Sequence, residues 1–139
     1  MTLAEDLVAW GAGQANRRKT ALQIRWTVDH LIKPALNEKS PTYKVVLQQK
    51  VGIDCSKLMV AHTGIRGSND LLWIGNAANN ATKLAALDPG YLSYISESVY
   101  GRLMVSSKNG GNPKRPMWAD LGASNLAFWV YGSNWSWGL

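Results

Sequence analysis

Asn79 and Lys83 stand four residues apart in a segment with helical periodicity, so they share one face of a helix. A carboxamide and an ammonium on one face can hold a sugar hydroxyl or a phosphate and offset charge that develops during phosphoryl transfer. Spacing alone more often marks the polar, solvated side of a helix whose other side is alanine. Other chemistries are poorly served. The two histidines, His30 and His62, lie far apart and outside any spaced His/Cys cluster, which argues against a zinc site. Cys55 falls in an expected turn with no flanking motif that marks a nucleophile. No Ser/His/Asp set is visible. The glycines of Gly64-Ile65-Arg66-Gly67 fit neither GxGxxG nor a Walker A loop.

The chain that must position these groups has 139 residues, enough for one domain. With 46% hydrophobic and 17% charged residues it reads as globular. A single cysteine excludes an intrachain disulfide. No apolar run is long enough to span a membrane, and the acidic opening MTLAEDLVAW does not suit a secretion signal, so a cytoplasmic setting is expected. Fifteen basic against nine acidic residues give a net charge of +6. The densest basic groups, Arg17-Arg18-Lys19 and Lys114-Arg115, are too short for a nucleic-acid tail and read as solvated surface.

Helical spacing of Ala21, Ile24, Val28, Leu31, Ile32 and Ala35 predicts a helix over Asn16–Leu36, capped at Asn16, with Pro34 near its last turn and a loop over Asn37–Pro41. Alternation from Tyr43 towards Ile53, a turn at Asp54–Lys57 and a strand at Leu58–His62 predict a hairpin. A glycine-containing loop follows, then a short buried strand at Leu71–Ile74 and an alanine-rich helix over Asn76–Leu87. Tyr91–Ile95 reads as a strand, Ser96 as the cap of a helix over Glu97–Met104, and Ser107–Pro116 as a loop. Met117–Leu121 and Asn125–Val130 form a final pair of strands on this reading. The order implies an α+β fold with a mixed or antiparallel sheet.

The stretch from Gly52 to Leu87 resembles the C-terminal half of a class III nucleotidyl cyclase catalytic domain. The residues that carry the likeness are Trp73-Ile74-Gly75-Asn76-Ala77-Ala78-Asn79-Asn80-Ala81-Thr82-Lys83-Leu84, against a family pattern of Ile-Gly-Asp/Asn and Val-Asn-x-Ala-x-Arg/Lys-Leu. Within the family, His62-Thr63-Gly64-Ile65-Arg66-Gly67-Ser68-Asn69-Asp70-Leu71-Leu72 and the near-terminal Ser133-Asn134-Trp135-Ser136-Trp137 are most similar to the bacterial pyrimidine cyclases of the Pycsar antiphage system. The resemblance implies a ferredoxin-like, mainly antiparallel core with helices on one face. It makes residues 1–139 a single partial catalytic domain that lacks the N-terminal strand and helices.

It also implies a reaction: the 3′ hydroxyl of a nucleoside triphosphate attacks its own α-phosphate, releasing pyrophosphate and a 3′,5′-cyclic nucleotide. Asn79 takes the place of the ribose-orienting asparagine and Lys83 that of the transition-state cation. Lysine departs here from the purine cyclases and supplies a point charge without the bidentate fork of arginine. Leu72 aligns where adenylyl cyclases carry a polar base-reading residue, and leucine cannot make that hydrogen bond. Trp73 faces the base or the core, and Gly75 and Asn76 complete the expected substrate-binding set. Two divalent ions, Mn²⁺ or Mg²⁺, are expected on aspartates. Glu5-Asp6-Leu7-Val8-Ala9-Trp10 resembles the end of the second metal motif and makes Asp6 its ligand; the other reading of Asp6 is a solvated acid. UTP is favoured over CTP, although no residue derives the base. A homodimer with shared sites is expected, and neither nucleic acid nor a membrane span. The competing classes are a truncated or non-catalytic nucleotide-binding module, separated by metal-dependent turnover, and a basic nucleic-acid-binding domain, separated by a steep loss of affinity with salt.

Overall fold

The computed structural model describes residues 20–42, 47–57, 59–63, 70–87, 90–123 and 125–139, with 60–63 and 70–73 known by their backbone alone. The chain is α+β. Helix α1 (Thr20–Thr27) passes through a π-helical turn (Val28–Ile32) into α2 (Lys33–Lys39), so helix continues into the segment expected to be the Asn37–Pro41 loop. The expected cap, Asn16, lies outside the described residues. Pro34 has no N–H and cannot continue the α-helical ladder. The preceding turn widens instead, and the Lys33 N–H donates to the Val28 carbonyl. One extra residue in a turn advances the helical phase by about 100°. That shift explains why Ala21, Leu22 and Val28 are buried while Leu31 and Ile32, expected on the same face, are exposed.

The main sheet has the order β1 (Val51–Ile53), β4 (Ser93–Ser96), β8 (Val130–Ser133), β7 (Ala119–Gly122). Strand β1 pairs with β4 in parallel, while β8 is antiparallel to both of its neighbours. Among the described residues β1 does not pair with the next strand in the expected hairpin. Instead β2 (Met59–Thr63) pairs antiparallel with β3 (Asp70–Ile74), so the true hairpin closes one strand later. Alternation marks a strand but does not choose its partner. At the mouth of that hairpin Met59 and Ile74 face each other across the ladder, and both are exposed, contrary to the expected burial of β3 to its end.

Helix α3 (Ala77–Ala85) follows β3. After β4 come the single-turn helices α4 (Glu97–Tyr100) and α5 (Val105–Lys108), then the two-residue strands β5 (Asn109–Gly110) and β6 (Arg115–Pro116). These last elements replace most of the expected Ser107–Pro116 loop, and Gly111, with φ +83°, turns between the two strands. The final pair of strands is present, but its second member begins at Val130, where Asn125–Val130 was expected.

Residue alternation separates two cores. Val51, Ile53 and Ile95 point to the face covered by Ala21 and Leu22 of α1, with Leu103, Met117 and Trp118 completing the cluster. Tyr94 and Val130 point to the opposite face and pack on Leu84 of α3. The helices therefore cover both faces of the sheet, where one face was expected. Trp135 and Trp137 close over the α1 side, and the Trp137 N–H donates to the Leu22 carbonyl at 3.1 Å. Among the described residues no helix is long and apolar enough to cross a membrane.

Candidate functional site

The site is built on α3. Ala77, Asn80, Ala81, Leu84 and Ala85 fall on the side turned to the sheet, at about 100° per residue; Ala77 and Leu84 are buried. Asn76, Asn79 and Lys83 recur at i, i+3 and i+7 on the other side, and all three are exposed. Gly75 is exposed where β3 hands over to the helix. The structure thus brings Gly75, Asn76, Asn79 and Lys83 into one outward-facing stripe. Among the described residues, neither Asn79 nor Lys83 is held by a side-chain hydrogen bond or an ion pair, so both heads are presented to whatever approaches this face. Leu72 and Trp73 lie in β3 opposite Ala61 and Val60, which puts their backbone two to three residues upstream of the stripe; their side chains lie outside the description. Asp6 lies outside the described residues altogether.

Three alternate residues hold the inner side of α3. Gly52 in β1 lies against the helix backbone. A Cβ there would collide with the Ala81 carbonyl oxygen and lie 2.7 Å from the Ala85 nitrogen. Two residues on, Asp54 is buried at 3% exposure and accepts a hydrogen bond from Asn80 Nδ2 at 2.8 Å. Its other carboxylate oxygen accepts from Ser96 Oγ, at the end of β4. Two residues further, Ser56 Oγ accepts from the Ala77 N–H at 3.0 Å and so satisfies an orphan donor at the helix start. Asn76, at the cap position itself, makes no such bond. Ser96 likewise does not cap α4 as its sequence position predicts, because its hydroxyl is turned to Asp54.

Sequence reasoning missed Asp54 and Ser56, having read Asp54–Lys57 as a turn, and gave Ser96 only the role of a helix cap. The available signal was period two: Gly52, Asp54 and Ser56 continue the face of β1 beyond its last paired residue. Cys55 points elsewhere and is half-buried. Burial pushes its thiol pKa up, Arg102 pulls it down and Asp54 pushes it up again, so the thiol stays protonated at neutral pH and is a poor nucleophile. Among the described residues no group of three or more His, Cys, Asp or Glu side chains could hold a metal ion.

No family model matches the chain. Three curated relatives do. A protein named uridylate cyclase from Xanthomonas perforans is 39% identical over 120 residues, covering 86% of this chain and 51% of the relative. One of the same name from Burkholderia cepacia is 41% identical over 119 residues, covering 86% of this chain and 50% of the relative. A third, from Rhodovulum sp. (strain MB263), is 33% identical over 104 residues, covering 72% and 43%. The chain spans about half the length of the relatives it matches. The likeness to pyrimidine cyclases read from Trp73–Leu84 is borne out by these matches.

Proposed function

We infer that the chain, related to uridylate cyclases over most of its own length, carries one half of such a protein, and we propose that it serves in cyclising UTP to 3′,5′-cyclic UMP with release of pyrophosphate. The observation that carries this reading is the agreement of three relatives, all named uridylate cyclase. The exposed stripe on α3 supports it chemically. Asn79 would accept and donate hydrogen bonds to the ribose, holding the 3′ oxygen in line with the α-phosphorus. Lys83, one turn on, would set its ammonium against the charge that gathers on the phosphoryl oxygens as the new bond forms. Gly75 and Asn76 would border the substrate at the helix start.

When bound, Mn²⁺ or Mg²⁺ would lower the pKa of the attacking hydroxyl and neutralise phosphate charge. Its carboxylates would come from outside the described residues, Asp6 among them. A class III cyclase core, assembled as a homodimer with the site shared between chains, is the architecture that fits half a relative, and signalling in antiphage defence is the role we assign to the product. The second reading is a nucleotide-binding module without turnover, which metal-dependent turnover separates from the first.

The test is direct. The purified chain is incubated separately with UTP, CTP, ATP and GTP, with Mn²⁺ and with chelator, and products are identified by mass. Metal-dependent cyclic UMP is the expected result. Cyclic CMP instead would change the base, and no product from any of the four would favour the binding module.

A further inference from the structure

We propose that Asp54 is a positioning residue: its buried carboxylate, shared between Asn80 of α3 and Ser96 of β4, sets the rotation of α3 about its axis and with it the aim of Asn79 and Lys83. The proposal rests on the cyclase reading above. A carboxylate buried to 3% exposure is costly unless it is hydrogen-bonded, and apolar groups of similar size often serve stability as well or better. What the carboxylate adds is direction. The apolar contact between Leu84 and Tyr94 holds α3 against the sheet but tolerates a turn of the helix. The close approach of Gly52 to Ala81 and Ala85 sets how near the helix lies. The 2.8 Å bond from Asn80 to Asp54 acts at the side of the helix and resists rotation, and Ser96 holds the carboxylate itself in place.

The lever is short. Asn80 follows Asn79 directly and precedes Lys83 by three residues. A helix with its side chains has a radius of about 6 Å, so a turn of about 10° displaces an outer group by about 1 Å. A misplacement of that size can cost about 100-fold in rate.

The experiment exchanges the partners. Asn80→Asp sets two carboxylates against each other and should turn the helix. Asp54→Asn keeps both bonds, because the Ser96 hydroxyl can rotate to accept from the new amide. The double variant Asp54→Asn/Asn80→Asp restores one amide facing one carboxylate, with the negative charge now on the helix. Asn80→Asp is expected to lower kcat for UTP by at least about 10-fold, with KM changed by less than about 3-fold. The single Asp54→Asn and the exchanged pair should both stay within about 3-fold of the parent. Should Asn80→Asp fail to fold, Asn80→Ala cuts the same bond without adding a charge.

Three outcomes would overturn the proposal: an unchanged kcat in Asn80→Asp, a folded exchanged pair that stays slow, or a loss expressed only in KM. A parent chain that turns over no triphosphate would instead overturn the cyclase reading. Amide hydrogen exchange over Ala77–Ala85 then decides separately. Faster exchange in Asn80→Asp that reverts in the exchanged pair supports the role of Asp54, and unchanged exchange removes it.

Discussion

Lys83 and Asn79 are exposed and carry no described partner, so replacing them should cost the fold little and the reaction much. Asn79→Ala is expected to abolish detectable cyclic UMP while stability changes by no more than about 0.5 kcal/mol, read from urea unfolding beside a product assay. Lys83→Ala should lose kcat and leave KM nearly unchanged if the ammonium acts on the transition state; a loss confined to KM removes it from that role. These outward residues were legible in the sequence because an i, i+4 polar pair beside an alanine stripe survives in any amphipathic helix. Asp54 was not. Its neighbours Cys55 and Ser56 made the segment look like a turn, and its two partners, Asn80 and Ser96, lie 26 and 42 residues away. Local pattern holds no record of such contacts. Asp6 lies outside the described residues.

Among elements, α3 was the most legible and β1 the least. The helix carries its own start and period, whereas β1 is defined by a parallel partner, β4, that no short-range signal names. The contact between β1 and α3 makes a sharp prediction. Gly52→Ala puts a methyl group into the α3 backbone, which cannot move aside as a flexible side chain would. A loss of about 1–3 kcal/mol in urea unfolding is expected. The π-helical turn offers a second, pH-dependent test. Asp29 accepts from Lys33 at 2.6 Å and Arg25 at 3.4 Å, and the hydrogen bond from Lys33 chiefly holds its carboxyl below the usual carboxylate range against the opposing effect of burial. A folded-state pKa below the unfolded one means that the stabilisation is present above the unfolded value, about 3.9, and is lost as pH falls through the folded one. Asn in place of Asp29 should therefore cost about 0.3–0.5 kcal/mol at neutral pH. In strong acid the two proteins should converge, which thermal melts across a pH series would read. Pro34 was visible as a disturbance of this helix, but whether it would stop the helix or widen a turn depends on the packing around it.

Across the whole molecule, the sheet is held between two apolar clusters, and Leu84 is the fully buried residue through which α3 joins one of them. Leu84→Ala should cost about 2–5 kcal/mol and shift the urea midpoint accordingly. The α+β class was legible from element order. The two-sided placement of the helices was not, because a run such as Ser93–Ser96, buried at all four positions, does not say which neighbour covers which face. If the site is shared between chains, specific activity should fall on dilution in step with dissociation measured by sedimentation. One feature of the sheet also bears on how the molecule is made. Strand β8, at Val130–Ser133, follows both β4 and β7 in the chain yet sits between them in the sheet. The β2–β3 hairpin can close as soon as Asp70–Ile74 has left the ribosome, but β4 has only β1 beside it until Val130–Ser133 emerges. Contacts of such long sequence separation are slow to form. The nascent chain therefore carries an open edge on β4 while the residues between Ser96 and Val130 are added, a period in which half-made copies are exposed to one another.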